Sequence, residues 1–383
     1  MPYFVTKAPP RFHQLSVDEY LFEDRAVNGF TALCETETVT RYWKSIPETV
    51  RASYNIPLAI QALANFNRIH EDLFKAERTT LYHTFYIPKR SGGSRRIDQP
   101  LPELMSALYE LRHLFETVFH ADMLYHTAAF AYVQKRNTVK LVKKHQQNAS
   151  VWFAHYDFHN FFGSVTLDFL MRMLTMIYPF SEVVATLGGH DQLKQALSLC
   201  FLNGGLPQGT PISPMLTNIM MIPLDHKFNN RIQAFGKQNY VYTRYADDIS
   251  ISSRKPFDYK KVEAEIVESL QALQAPLELN AKKTSYGNNK GSNWMFGMML
   301  NAENNITIGW KNIKAFRSTL NTYLYDRSQG AIWPLDRVQS LSGLISYYNM
   351  IDERWVESIL DVYNKKYHTS VQYCLKQDKK QRA

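Results

Sequence analysis

Apolar residues recur along the chain at two spacings, in steps of three or four residues and in short continuous or alternating runs. The first spacing is typical of amphipathic helices and the second of strands. The helical spacing predicts helices at 58–75, from Pro102, near 167–177 and 191–201, at 213–235 and from Pro256. The strand-like runs are 84–88, 151–156, 240–245, 249–252, 294–300 and 305–309.

The order of these elements predicts the fold class. A strand, several helices, a hairpin, a helix and a further strand follow one another in the middle of the chain. This order indicates a mixed α+β layer and not a doubly wound sheet. Residues 1–55 follow neither spacing and are interpreted as an N-terminal extension, whereas the chain beyond Trp310 has helical character.

Length and composition limit the class of protein. The 383 residues suffice for two or three subdomains, and a hydrophobic content of 45% is ordinary for a globular protein. No apolar run approaches the roughly 18 residues of a membrane span, and the three scattered cysteines predict neither disulfides nor zinc. We therefore expect a cytoplasmic protein without a membrane partner. The net charge of +9 favours a polyanionic partner, because cations bound to phosphates release counterions.

Two adjacent carboxylates, Asp247 and Asp248, stand between the strand-like runs 240–245 and 249–252. Such neighbours repel each other unless they share a cation, so the pair is a candidate metal site. A solvated Asp-Asp turn is the alternative. The apolar residues on both sides favour metal binding, because strands of the core need no solvated acidic loop between them.

A third carboxylate, Asp157, ends the apolar run 151–156. If that strand and the hairpin are neighbours in one sheet, the three acids meet. Nucleotidyl transfer uses two Mg²⁺ ions roughly 4 Å apart, and three carboxylates on two adjacent strands can bridge both ions. Taken alone, Asp157 could equally be a turn residue that ends the strand.

The chain resembles the reverse-transcriptase family in three ordered motifs and two shorter blocks. These are YDFHNFF at 156–162, GLPQGTPISP at 205–214, YADD at 245–248, Asn280 with Lys283 and Thr284, and Phe296 with Gly297. The resemblance spans about residues 80–300. It implies an RNA-directed DNA polymerase with a right-hand architecture, in which 56–310 form fingers and palm and 311–383 a helical thumb with a basic tail.

The resemblance also implies a metal set and a nucleotide site. The metal set is Asp157, Phe158, Asp247 and Asp248, holding two Mg²⁺ ions for which Mn²⁺ is a substitute. Phe162, five residues after Asp157, resembles the ring that excludes a 2′-hydroxyl and so selects dNTP. Gln208 resembles a residue that contacts the incoming nucleotide. Lys89 and Arg95, in a glycine-turned basic hairpin, resemble the cations that hold the triphosphate, with a solvated basic turn as the alternative.

A further set of residues is predicted to contact nucleic acid. Arg136, Lys140, Lys143 and Lys144 recur at a spacing that gives a helix one basic face, for which phosphate contact and plain solvation are the two interpretations. Phe296 and Gly297 resemble the primer grip, although such a pair in isolation is more often part of a core. Lys283 is included in this set because it lies in one of the two shorter blocks that resemble the family.

Several features are similar to the prokaryotic branch of the family, which includes retron, group II intron, diversity-generating and abortive-infection enzymes. We expect a retron-like enzyme of antiphage defence that binds an RNA template or non-coding RNA, dNTP and a DNA product. A true retron enzyme is the second interpretation, because its Val-Thr-Gly block is replaced by Asn305–Gly309. An idle nucleic-acid-binding scaffold and an RNA-dependent RNA polymerase are the alternatives. A second copy of the chain and an effector protein remain open as partners.

Overall fold

The computed structural model describes residues 54–88, 92–236, 239–289 and 293–380. The described residues form two compact units, one of those up to Asn137 with those from Phe153 to Tyr286, and the other of Thr138–Trp152 with those from Gly287 onwards. The predicted N-terminal extension falls outside the described residues except for its last two positions. The predicted division into fingers, palm and thumb stays a prediction, since compactness alone assigns no such roles.

The helices and strands are as follows. The helices are α1 (Ile56–Ile69), α2 (Glu71–Lys75), α3 (Pro102–Thr117), α4 (Ala121–Leu124), α5 (Thr138–Gln147), α6 (Phe161–Ser164), α7 (Leu167–Leu174), α8 (Phe180–Ala185), α9 (Gly189–Ser198), α10 (Ser213–Gln233), α11 (Tyr259–Ala272), α12 (Gly309–Ser328), α13 (Leu335–Tyr367) and α14 (Val371–Lys380). The strands are β1 (Tyr82–Pro88), β2 (Ser94–Pro100), β3 (Trp152–His159), β4 (Val241–Tyr245), β5 (Asp248–Ser253), β6 (Glu278–Leu279), β7 (Ser285–Asn288), β8 (Met299–Leu300) and β9 (Ile306–Thr307).

The first unit confirms the predicted α+β order. Strand β3, helices, the β4–β5 hairpin, α11 and β6 follow one another, and the main path of the five-stranded sheet is β4-β5-β3-β6. The pairings β4–β5 and β3–β6 are antiparallel. A separate antiparallel pair, β1–β2, agrees with the predicted glycine-turned basic hairpin. Strand β3 is therefore a central strand, which suits its largely apolar sequence.

Helix α10 is the most enclosed helix of the first unit. Sixteen of its 21 residues are buried, so the helix is enclosed around most of its circumference and not only along one face. The helix begins at Ser213, whose amide donates a hydrogen bond of 3.2 Å to the Thr210 hydroxyl. This bond satisfies one of the first-turn donors that have no partner within the helix.

The second unit has its own core. Apolar and aromatic side chains of α12, α13 and α14 pack together around Phe316, Leu320, Tyr323 and Val356. The helical character predicted beyond Trp310 is thus confirmed. No helix in the described parts of the chain is long and apolar enough to cross a membrane.

Candidate active site

The three predicted acids meet at the ends of neighbouring strands. Asp157 is the third residue from the end of β3, and β5, which begins at Asp248, lies beside β3 in the sheet. The amide of Phe158 donates a hydrogen bond of 3.2 Å to the carbonyl oxygen of Asp247. The adjacency on which the prediction depended is therefore present.

The hairpin that carries Asp247 and Asp248 has a two-residue turn. Tyr245 pairs with Asp248, so only Ala246 and Asp247 lie between the paired residues. Ala246 has a φ of 57°, in the left-handed region that a residue with a Cβ rarely adopts. Strained backbone of this kind clusters at functional sites, where the surrounding structure holds it in place.

Asp157 is held at one oxygen and open at the other. The residue is 4% exposed, and its Oδ2 accepts a hydrogen bond of 2.8 Å from the Lys283 ammonium. Its Oδ1 is buried and has no hydrogen-bond partner. A buried carboxylate oxygen without a donor costs free energy, so this atom is suited to a ligand that the protein itself does not supply.

Burial and charge repulsion raise the pKa values of the two hairpin acids. Desolvation raises the pKa of Asp248 to about 7, and the negative charges of Asp247 and Asp157 add to the effect. Burial, with a contribution from Asp157, also raises the pKa of Asp247. The hydrogen bond to Asp157 raises the pKa of the Lys283 ammonium. The acids are thus closely coupled, and a cation among them lowers their repulsion.

These residues fit a magnesium site of the open kind. Within the described ranges no group of three or more His, Cys, Asp or Glu side chains is arranged to hold a metal ion. Mg²⁺ does not need such a group, because it keeps several waters and is bound by one or two carboxylates with substrate phosphates. The open Oδ1 of Asp157 and the repelling hairpin acids match that donor set. Phe158 has only a backbone carbonyl oxygen to offer a metal.

A cavity of about 950 Å³ opens in front of Asp157 and Asp247, whereas Asp248 does not line it. Asp157, Asp247 and Lys283 line it together with Arg95, Phe162 and Gln208. Three predicted nucleotide residues from separate parts of the sequence therefore face the same space. Lys89 lies outside the described residues.

The local backbone explains how Phe162 and Gln208 reach the cavity. Asn160 adopts a left-handed conformation with a φ of 46°, which ends β3 and starts α6 at once. Phe162 follows in the first turn of that helix. The Gln208 carbonyl accepts a hydrogen bond of 2.8 Å from the Asp98 amide, which fixes the loop against β2.

The predicted nucleic-acid residues are distributed less regularly. Helix α5 begins at Thr138, so Arg136 is not part of the helical face that the spacing suggested. Its guanidinium donates instead to the carbonyl oxygens of His126 and Ala129, both at 2.6 Å. Lys140 and Lys143 are exposed and Lys144 is half-buried, all within α5.

Two further predicted contacts have defined surroundings. Phe296 and Gly297 form a turn in which both φ angles are positive, between the paired residues Met295 and Met298. The Tyr347 hydroxyl donates a hydrogen bond of 2.5 Å to the Phe296 carbonyl. The pair is therefore a fixed turn and not part of a continuous strand. Lys283 faces the acids, and its role towards nucleic acid stays a prediction.

One residue that lines the cavity, Tyr132, was not predicted from the sequence. Tyr132 is 56% exposed and has a φ of 59°, an unusual conformation for a bulky side chain. Desolvation raises the pKa of its hydroxyl, and the charge of Asp247 adds to this. Tyr132 has no motif around it in the sequence, and only the fold brings it to the acids.

Comparison with known proteins agrees with this geometry. Residues 87–304 match the family model described as reverse transcriptase (RNA-dependent DNA polymerase). The chain is 26% identical to the retron Ec83 reverse transcriptase of Escherichia coli, over 76% of this chain and 90% of the relative. It is 26% identical to the retron Mx65 reverse transcriptase of Myxococcus xanthus, over 74% of this chain and 64% of the relative.

Among solved structures, apo telomerase from Candida tropicalis matches with a TM-score of 0.44 and 15% identity, over 61% of this chain and 55% of that one. Telomerase from Candida albicans with a fragment of telomeric RNA matches with a TM-score of 0.43 and 12% identity, over 77% and 56%. The family model covers more than half of the chain and includes both acidic strands. The chain therefore belongs to the reverse transcriptase (RNA-dependent DNA polymerase) family.

Proposed function

We propose that this RNA-directed DNA polymerase adds dNTPs to a primer 3′-hydroxyl at a magnesium site held by Asp157, Asp247 and Asp248. The observation that carries the proposal is the convergence of these acids, with the open Oδ1 of Asp157 beside the repelling hairpin pair. Two Mg²⁺ ions, when bound, supply the activation of the 3′-hydroxyl and the neutralisation of the triphosphate.

The protein's own residues orient the nucleotide around those acids. Arg95 lines the cavity and offers a planar fork of donors to triphosphate oxygens, with Lys89 proposed to act beside it. Gln208, on a loop fixed to β2, contacts the nucleotide. The Phe162 ring lies against the sugar and leaves no room for a 2′-hydroxyl. Each of these contacts lowers the entropic cost of reaching the reactive geometry.

RNA template and DNA product bind through phosphate contacts and fixed backbone turns. Lys140 and Lys143 are exposed and their positive charges suit phosphates, and Lys144 adds to this charge. The turn at Phe296 and Gly297 acts as the primer grip, with its carbonyl oriented by Tyr347. Arg136 acts on the protein's own loop rather than on phosphates.

The biological setting that we propose is a retron-like enzyme of antiphage defence that works with a non-coding RNA. Its support is the similarity to bacterial retron reverse transcriptases over about three quarters of the chain. A classical retron enzyme that makes branched RNA–DNA is the second candidate, favoured by the same relatives. The nucleic acid that co-purifies with the protein, sequenced before and after incubation with dNTPs, distinguishes the two through the presence or absence of a branch.

The first experiment measures dNTP incorporation on a primed RNA template in Mg²⁺. Asp157→Asn and Asp247→Asn are expected to reduce the rate by on the order of a thousandfold or more, because each removes a charged metal ligand. Asp191→Asn is the matched control, since its carboxylate is 88% exposed and lies on α9 away from the cavity. Normal polymerisation by the two site variants would show that the acids are misassigned.

A further inference from the structure

A fully buried ion pair lies beneath the hairpin acids. Arg244, on β4, and Asp225, on α10, both have side chains that are 0% exposed. The guanidinium binds the carboxylate in two places, from Nε to Oδ1 at 2.8 Å and from Nη2 to Oδ2 at 2.8 Å. Two parallel hydrogen bonds fix both the position and the plane of the guanidinium.

The pair is the centre of a larger hydrogen-bond network. The Tyr242 hydroxyl donates to Asp225 Oδ1 at 2.6 Å, and Arg244 Nη2 also donates to Asn218 Oδ1 at 3.2 Å. Asn218 in turn donates to the carbonyl of Ala131, next to the cavity residue Tyr132, at 2.8 Å. Helix α10, strand β4 and the loop before α5 are thus joined through one buried guanidinium.

The remaining nitrogen of the guanidinium reaches the turn. Arg244 Nη1 donates a hydrogen bond of 3.0 Å to the carbonyl oxygen of Ala246, the residue with left-handed backbone. The next carbonyl, that of Asp247, accepts from the Phe158 amide at 3.2 Å. Both carbonyls of the two-residue turn are therefore held, one from the buried side and one from the neighbouring strand.

Fold stability alone does not account for this arrangement. A buried ion pair costs desolvation of both charges, and well-packed apolar residues in its place are often neutral or stabilising. The feature that apolar residues cannot reproduce is the bond to Ala246. Alanine in the left-handed region returns to ordinary φ values unless the surrounding structure prevents it. A change in φ at Ala246 moves the carboxylate of Asp247.

We infer that Arg244 is a positioning residue for nucleotide addition, which holds Ala246 in its left-handed conformation and so fixes Asp247 in the cavity. The inference rests on the proposed role of Asp247. Arg244 touches neither the substrate nor the cavity, and it acts through the turn. The chain needs arginine here, because a lysine bonded to Asp225 has no second group to reach Ala246.

Two variants test the inference by separating charge balance from positioning. Arg244→Lys keeps a cation beside Asp225, and the double variant Arg244→Met with Asp225→Leu removes both charges. Both are expected to fold, to lose about 10- to 100-fold in kcat and to need more Mg²⁺ for half-maximal rate, with the KM for dNTP little changed. Arg231→Met is the matched control, because Arg231 lies on the same helix as Asp225 and pairs at 2.8 Å with Glu268, a side chain that is 60% exposed.

A rescue experiment adds a result that a purely structural role would not produce. Glycine adopts positive φ without strain, so adding Ala246→Gly to Arg244→Lys is expected to restore part of the lost kcat. Folded variants with wild-type kcat and Mg²⁺ requirement overturn the inference. Failure of both variants to fold overturns it as well, since the pair would then serve stability. If Asp247→Asn also polymerises normally, the proposed function itself has failed.

Discussion

Replacing Gly205 with alanine would push the loop that carries Gln208 into the segment that carries Phe162. A Cβ on Gly205 would lie 2.2 Å from the carbonyl oxygen of Gly163 and 2.8 Å from its Cα. Both obstacles are backbone atoms, so no side chain can rotate away. The Leu206 amide already donates to the Phe162 carbonyl at 3.1 Å, and any displacement therefore passes to Phe162.

The geometry sets the size of the effect. Carbon–oxygen contacts between backbone segments begin at about 3.3 Å, so one segment must move by about 1 Å. Overpacking of this kind costs about 1–3 kcal/mol of stability. A displacement of about 1 Å at a reacting centre costs about a hundredfold in rate. We expect Gly205→Ala to lower kcat/KM for dNTP by about that factor and to weaken selection against rNTP.

The assay compares kcat/KM for dNTP and for the matching rNTP, together with the melting temperature. Gly204→Ala is the control, because Gly204 has a φ of 82° but a Cβ there would meet nothing within 4 Å. It introduces backbone strain without a collision, so it is expected to lower the melting temperature and leave sugar selection unchanged. A Gly205→Ala protein with wild-type kcat/KM and wild-type sugar selection would refute the reasoning.

Two further predictions concern the sugar and the template. Phe162→Ala should admit rNTP while leaving dNTP use largely intact, because the ring that fills the space of the 2′-hydroxyl is gone. Unchanged selection between rNTP and dNTP in a competition assay would remove Phe162 from this role. Replacing Lys140, Lys143 and Lys144 together with alanine should weaken RNA binding and flatten its salt dependence by roughly 0.7–0.9 per lost phosphate contact. If the triple variant binds RNA with wild-type affinity and wild-type salt dependence, the lysine face of α5 is solvated and does not contact phosphates.

The local pattern of apolar residues was sufficient to predict the main helices and strands and to place the acids at the ends of strands. Asp157 and the hairpin pair each follow an apolar run, and the ends of strands are where a sheet brings side chains of distant sequence together. The antiparallel β1–β2 hairpin and the helices beyond Trp310 were also predictable from spacing. In each case the information lies within about ten residues of chain, the range over which periodicity is informative.

The sequence could not show contacts that depend on the exact start of an element or on distant partners. Arg136 shares the spacing of the α5 lysines, yet α5 begins two residues after it. The Arg136 guanidinium binds backbone carbonyls of the preceding loop instead. Arg244 and Asp225 are 19 residues apart on a strand and a helix, and no periodic pattern relates such positions.

Two cations near the acids differ in exposure and in the carboxylate that each one binds. This difference explains how the site offsets the repulsion between its negative charges. The Lys283 side chain is 59% exposed and binds Asp157 from the solvent side, so it offsets repulsion through a contact that can be exchanged. The Arg244 side chain is 0% exposed and is balanced by Asp225, so it adds no net charge beneath the acids. Lys283 therefore acts on the charge of the site and Arg244 on its shape. Because the Lys283 ammonium occupies Oδ2 of Asp157 and leaves Oδ1 open, a metal ion at the proposed site would share this carboxylate with the lysine and leave the Arg244 network unchanged.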